Sequence, residues 1–431
     1  MTVYDYQAAF GAADKTSAAM RKAVENWKAL YYGSPETGED PCQRLAYTIV
    51  TKLCKAAFAE YRASGEGDGL KGVLTALDQV RQRAFATTLV EGECYLRPYP
   101  GPEGFSFAAI PGSNVLIFSQ DASGTPRDVG LVETSVRNDD YYTLLERRAV
   151  DEKGYLTLSY QLYKSKDSQK LGQQVKLGEH PLYGDLPPSY TYPEPVGSVG
   201  LVWLKMPVVN CVDGSARGVS VFAAAADLIH NIDENERQLR EEFTRGESRI
   251  IASRDMLTGG ALQDHLFVGL DEDPENVGIT LFSPPLRVEA YLARKQEYLR
   301  NVESIIGLRR GMLSDANVEE RTATEIASST ADFNLTLLEL QGMWEKAIED
   351  AVGICGILAK LYSLAAPEGD YGVNWGNGVL YDESAQWLEY LEMVKAGILK
   401  PEVALGWRFG MCADTESQQA AIREKYMPKD N

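Results

Sequence analysis

Residues able to do chemistry are few and widely spaced in this chain. Its three histidines, His180, His230 and His265, stand far apart and outside any H-E-x-x-H pattern. That argues against a zinc site and against a Ser-His-Asp triad, and surface or hydrogen-bonded histidines are expected. Ser220 in GVSVF lacks the second glycine of a nucleophile elbow and reads as the N-cap of a following helix. Gly67, Gly69 and Gly72 spell G-x-G-x-x-G, but they follow a helical pattern rather than a strand, so a plain loop is expected. No G-x-x-x-x-G-K-[ST] occurs, which removes the P-loop route to ATP hydrolysis. DEDPEN, Asp271 to Asn276, resembles the start of an EF-hand loop, but Asn276 stands where glycine is needed, and a solvated acidic loop is expected instead. The six cysteines, Cys42, Cys54, Cys94, Cys211, Cys355 and Cys412, form no C-x-x-C pair and are expected as small buried hydrophobes in a reducing compartment. Asn334 heads N-L-T inside a helical run, which discounts glycosylation. No catalytic residue, metal or cofactor is assigned.

The elements that would position any site come in blocks. The 431 residues can bury a large core and would ordinarily make roughly two to four domains. Hydrophobic residues at 44% and charged residues at 24% are those of a folded chain. A net charge of −19 argues against a duplex-DNA binder working through a basic surface. The N-terminus lacks a basic then apolar signal pattern, and the most apolar stretch, 351–366, is interrupted by Lys360, so neither a signal peptide nor a membrane span is expected. Helical runs fill the first part to a glycine-rich break at 65–72, and a further helix is expected over 73–89. From Gly92 to about Met206 short β-rich runs follow: ECYLRPY, FSFAAI, NVLIFSQ, YYTLLERRAV, YLTLSYQLYKS and VGLVWLKM. They predict a mixed α/β region with mostly antiparallel strands.

Helical spacing returns over 219–244 and again over 288–306, bracketing an irregular segment with two expected strands. Residues 307–321, GLRRGMLSDANVEER, read as a flexible polar loop carrying Arg309, Arg310 and Arg321. Thr322 and Glu325 then stand in capping-box spacing before a proline-free run to Leu364. Phe333, Leu337, Leu340, Trp344, Ile348, Ala351, Cys355, Leu358 and Tyr362 form one apolar stripe over about nine turns. Such a helix would span on the order of 65 Å. Gly342, Gly353 and Gly356, costly inside a helix, mark expected kinks or close packing sites. A short strand YGVNW and three helices complete the chain.

In this order of parts the chain resembles a tailed-bacteriophage portal protein, the head-tail connector of siphophages. The likeness is carried by WKALYYG (27–33), EGECYLRPY (91–99), IPGSNVLIFSQDASG (110–124), YYTLLERRAVDEKG (141–154) and GVSVFAAAADLIHNIDE (218–234). GLRRGMLS (307–314), RTATEI (321–326) and LEMVKAGILKPEVAL (391–405) continue it. The resemblance implies an α+β ring subunit: an α/β wing (1–217), a first stem helix (218–247), a clip (248–285) and a second stem helix (286–306). A tunnel loop (307–321), a long kinked wing helix (322–365) and a short crown (366–431) complete it. It implies a dodecameric ring of this chain at one capsid vertex of the virion, assembled in the host cytoplasm. Double-stranded DNA would pass its channel without sequence specificity. Its partners would be the terminase packaging motor, a head-tail adaptor, the major capsid protein and a scaffolding protein, with no membrane. Clip docking would fall to Asp264, Asp271, Glu272 and Asp273.

On that reading Arg309, Arg310 and Arg321 face the DNA, and the alternative is that they cap helix ends or pair with Asp315, Glu319 and Glu320. Acids crowd 227–247 and bases crowd 287–310, which would suit lateral contacts between neighbouring subunits or simply two solvated faces. Two further functions stay open: a helical virion adaptor without a channel, and a carboxylate-based hydrolase, for which nothing in the sequence sets a pair of acids at a useful separation.

Overall fold

The computed structural model describes residues 3–33, 42–247, 249–253, 267–270, 280–282, 285–315, 323–376 and 383–428. The chain is mixed α+β and divides into two compact units. One comprises Met1–Tyr32, Ala46–Ala223 and Phe333–Asn431; the other comprises Gly33–Leu45 and Ala224–Asp332.

The first unit opens with α1 (Val3–Phe10), α2 (Ala18–Tyr32) and α3 (Leu45–Ala57). The helical run expected to continue past Ala57 stops there, and β1 (Arg62–Gly65) follows, paired antiparallel with β14 (Tyr371–Asn374). Helix α4 (Asp68–Glu91) starts directly after Gly67, with Asp68 in the first turn where the helix dipole favours an acid. The G-x-G-x-x-G run therefore follows a strand and is not a plain loop, against the sequence expectation: Gly67 is the N-cap, and Gly69 and Gly72 lie inside α4. Gly69 serves chain packing, since a Cβ there would sit 2.3 Å from the Ala366 carbonyl oxygen, whereas a Cβ on Gly72 would meet nothing within 4 Å. With β1 in a two-stranded antiparallel sheet, no parallel βαβ unit forms there.

Three strands, β2 (Glu93–Gly101), β3 (Gly104–Pro111) and β10 (Val202–Lys205), make a sheet in the order β10-β2-β3. A six-stranded sheet runs β4 (Val115–Gln120), β5 (Pro126–Arg137), β6 (Asp140–Val150), β7 (Leu156–Ser165) and β8 (Gln173–Val175), with β9 (Ser189–Thr191) also on β7. Every pairing in these sheets is antiparallel, as the β-rich runs predict. Strand β5 was not among the expected strands. Gly130 interrupts its apolar run, and a Cβ there would lie 2.8 Å from the rings of Phe10 and Phe118. Those rings belong to a core cluster with Leu116, Val132, Leu145 and Leu171, so packing rather than strand propensity selects glycine at that position.

Helix α7 (Ala323–Tyr362) is 40 residues long, about 60 Å at the standard rise, and ends two residues before Leu364, where the proline-free run was expected to stop. Eight of the nine stripe residues, Phe333 to Leu358, are buried; only Tyr362 is exposed, at 45%. Trp344 Nε1 donates to the Tyr61 hydroxyl at 3.2 Å, Phe58 packs edge-on to Trp344, and Gln341 donates to the Ala57 carbonyl that ends α3. Among the described residues, none of the three glycines of α7 is a close packing site, one of the two roles expected of them. The helix is unbroken through all three, and a Cβ on Gly342 or Gly353 would meet nothing within 4 Å; on Gly356 it would only touch Pro367 at 4.0 Å. The C-terminal helices are α8 (Glu383–Lys395), α9 (Pro401–Phe409) and α10 (Glu416–Tyr426). Thr415 and Gln418 form a full capping box at α10.

The second unit contains α5 (Ala226–Arg245), β11 (Arg249–Ser253), β12 (Phe267–Leu270), β13 (Thr280–Phe282) and α6 (Val288–Ile306). Among the described residues, three strands rather than two lie between the helices, in the order β12-β11-β13, with β11 parallel to β12 and antiparallel to β13. Helix α5 begins seven residues later than the expected Val219. Ser220 does not cap it: the N-cap is Ala225, and Ser220 Oγ donates to the Leu89 carbonyl at 2.9 Å, closing the end of α4. Arg287 of the α6 N-cap grips Glu242 with two nitrogens, Lys295 reaches Glu236 at 3.2 Å, and Asn235 donates to the Tyr291 carbonyl. Acids of α5 and bases of α6 therefore complement one another within one chain.

Candidate functional site

The end of α6 builds the most specific polar arrangement near the expected DNA-facing residues. Glu303 sits in the last helical turn, where a carboxylate meets the negative end of the helix dipole. It follows the buried Val302 and is itself 1% exposed. A buried carboxylate is tolerated only when donors surround it. Here Oε1 accepts from the backbone N–H groups of Gly311 (3.1 Å), Leu313 (2.5 Å) and Ser314 (2.9 Å), and Oε2 accepts from Ser314 Oγ at 2.8 Å. The Glu303 carbonyl also accepts from the N–H groups of Gly307 and Leu308. Five backbone amides and one hydroxyl of the loop thus converge on a single residue.

Local sequence makes this turn possible. Gly307 takes the left-handed conformation (φ 74°) that ends α6, and Gly311 (φ 90°) reverses the chain so that its amide points back at Glu303. Leu308 is buried and roots the loop, Met312 N–H bonds to the Arg309 carbonyl at 3.1 Å, and Asp315 N–H bonds to Gln296 Oε1 at 2.8 Å. The polar loop expected to be flexible is therefore stapled over 307–315.

Arg309 and Arg310, between the buried Leu308 and Gly311, are both exposed. Arg309 makes no ion pair with another described residue, so the pairing with Asp315 does not form for it; Glu319 and Glu320 lie outside the described residues. Two adjacent guanidinium groups on a fixed turn can hold phosphate or carboxylate oxygens through charge-assisted hydrogen bonds. The arrangement is suited to binding rather than covalent chemistry, since Ser314, the one hydroxyl in 307–321, is buried against Glu303.

The remaining sequence-predicted positions distribute as follows. Arg321, Thr322, Asp264, Asp271, Glu272 and Asp273 lie outside the described residues, as does His265. Glu325 lies in α7. His230 is exposed on α5. His180, expected at the surface or hydrogen-bonded, is buried with Nδ1 lacking a described partner, stacked on Tyr183 and edge-on to Tyr142. Burial and Arg137 lower its pKa, against the opposing pull of Glu133. Cys94 and Cys355 are buried as expected, whereas Cys42, Cys54 and Cys412 are half-buried and Cys211 is exposed. Burial pushes the Cys54 and Cys355 thiols up to about 12, which keeps them protonated and poorly nucleophilic.

Sequence reasoning found the arginines but missed Glu303, Gly311 and Ser314. The available signal was an acid in the final turn of a helix, one residue after a core valine, where the dipole disfavours it unless it has a task. Among the described residues no cluster of three or more His, Cys, Asp or Glu side chains could hold a metal, and no helix is long and apolar enough to cross a membrane. No protein-family model and no curated protein matches the chain.

Proposed function

We propose that this chain is the portal subunit of a tailed bacteriophage of the siphophage type, forming a dodecameric ring at one capsid vertex through which the genome is packaged and ejected. The observation that carries the reading is the order of parts after the β-rich unit. Two helices, α5 and α6, flank a small three-stranded sheet; an arginine-tipped loop follows; then comes a 40-residue helix and a small helical end. A channel protein must let duplex DNA slide, and a net charge of −19 keeps phosphates from adhering across its surface. Arg309 and Arg310 supply a small cationic contact within that acidic background, and a guanidinium on a phosphate carries no base information.

On this reading residues 248–285 dock the terminase motor and later the head-tail adaptor, and the outer parts meet the major capsid protein and a scaffolding protein. Negative-stain images of the purified full chain test the assembly: rings with an axial opening are expected, and uniform monomers at every concentration overturn it. Charge reversal of Arg309, Arg310 and Arg321 together is expected to impair packaging while rings still form. Normal packaging by that variant removes the loop from the account.

A further inference from the structure

The arginine doublet does not stand on a free loop, and one residue is responsible. Glu303 engages the loop with both carboxylate oxygens and its carbonyl, while Gln296 holds the far side through Asp315 N–H. Every one of these bonds lies within residues 296–315, so the turn is a self-contained device at the end of α6. Its only solvent-facing cations are Arg309 and Arg310, at its tip. The bonds to the Glu303 carboxylate come from Gly311, Leu313 and Ser314 rather than from either arginine, so the anchor sets where the arginine backbone stands.

We propose that Glu303 is a positioning residue that presets Arg309 and Arg310 as a rigid doublet for the phosphodiester backbone of duplex DNA; this rests on the DNA-facing reading of the loop. Ordering two long, rotamer-rich side chains and their backbone at the moment of contact weakens binding. A loop already fixed to α6 avoids the backbone part of that cost. Glu303 touches no DNA in this account. It acts through the turn, so its removal should weaken contact without changing how many phosphates are met.

The test uses the full-length protein, an arbitrary-sequence duplex of about 25 bp, and affinity measured over a salt series. The variants are Glu303→Ala, Glu303→Gln, Ser314→Ala and the double Arg309→Ala/Arg310→Ala. Amide hydrogen exchange of the 307–315 segment is read in parallel, with protection of α5 and α6 as the control for folding. Glu303→Ala is expected to accelerate exchange at Gly311, Leu313 and Ser314 by at least about tenfold, and to weaken DNA binding by about three- to tenfold. The slope of log affinity against log salt should stay that of the wild type. Ser314→Ala, which removes one donor, should move both readouts in the same direction by less. Glu303→Gln should retain part of the anchoring, since its carbonyl oxygen still accepts amides. The double arginine variant should instead flatten the salt slope by about two phosphate contacts per loop while leaving exchange unchanged.

Faster loop exchange in Glu303→Ala or Ser314→Ala with undiminished affinity overturns the positioning role, while a flattened slope in the arginine variant would leave the DNA-facing loop standing. An arginine variant that binds like the wild type overturns the DNA reading itself, and the proposal with it. Should Glu303→Ala lose the control protection in α6, Ser314→Ala and Glu303→Gln decide the matter by the same two readouts.

Discussion

Arg217 and Glu93 form an ion pair at 3.2 Å, with side chains 10% and 1% exposed, although 124 positions separate them in the chain. Glu93 opens β2, and its other oxygen accepts the Gly218 N–H at 2.6 Å, while the Tyr95 hydroxyl donates to the oxygen that Arg217 holds. The contact draws the segment after β10 against the end of α4, where Gly92 and Gly218 meet so closely that a Cβ on Gly92 would lie 2.4 Å from the Gly218 carbonyl oxygen.

Removing one partner of this pair leaves the other charge buried without compensation. Glu93→Ala is expected to cost about 3–5 kcal/mol in urea unfolding, whereas a double replacement by methionine should recover most of that loss. Equal destabilisation by the single and double variants would show that shape, not charge, holds the junction.

Acid stability should carry two separate signatures. Glu146 is buried, which by itself raises its pKa, but Arg148 at 2.5 Å and the adjacent Arg97 bring it below the usual carboxylate range. A carboxylate depressed in the folded state contributes stability above its unfolded value of about 4.3 and loses it as pH falls through the folded value. Glu146→Gln should therefore be less stable at neutral pH and show a shallower loss below about pH 4. His180 behaves as a base depressed on folding. The unfolded chain takes up its proton first, so stability falls as pH drops from about 6.5 toward the folded value. His180→Phe should flatten that upper limb; unfolding curves at several pH values that run parallel for wild type and variant would contradict it.

Glycines at different positions should respond in opposite directions. Gly342 and Gly353 lie inside α7 with open space where a Cβ would go, so Gly342→Ala and Gly353→Ala are expected to stabilise by about 1 kcal/mol each. Gly92 has φ 84° and the carbonyl of Gly218 against it, so Gly92→Ala should destabilise by more than about 1 kcal/mol. Thermal melts of the three variants decide this, and a loss of stability at 342 or 353 would reveal a demand for glycine that packing within one chain does not show.

Much of what short-range periodicity governs was legible in the sequence alone. The stripe from Phe333 to Leu358 is the buried face of α7 because residues three and four apart share a helix side, and Gly307 ends α6 because glycine readily adopts the left-handed cap. The antiparallel character of the β-rich region was legible in the same way, from short alternating runs between turns. Strand β5 was hidden because its glycine answers to Phe10, more than a hundred residues away, and β1 was hidden because its partner β14 comes near the other end of the chain. At the candidate site, Arg309 and Arg310 were visible as a charged pair in a glycine-bearing loop, but their setting was not. Only tertiary structure decided that the loop is stapled, because that depends on where the Glu303 carboxylate points, and a sequence specifies which donors and acceptors exist without saying which of them meet.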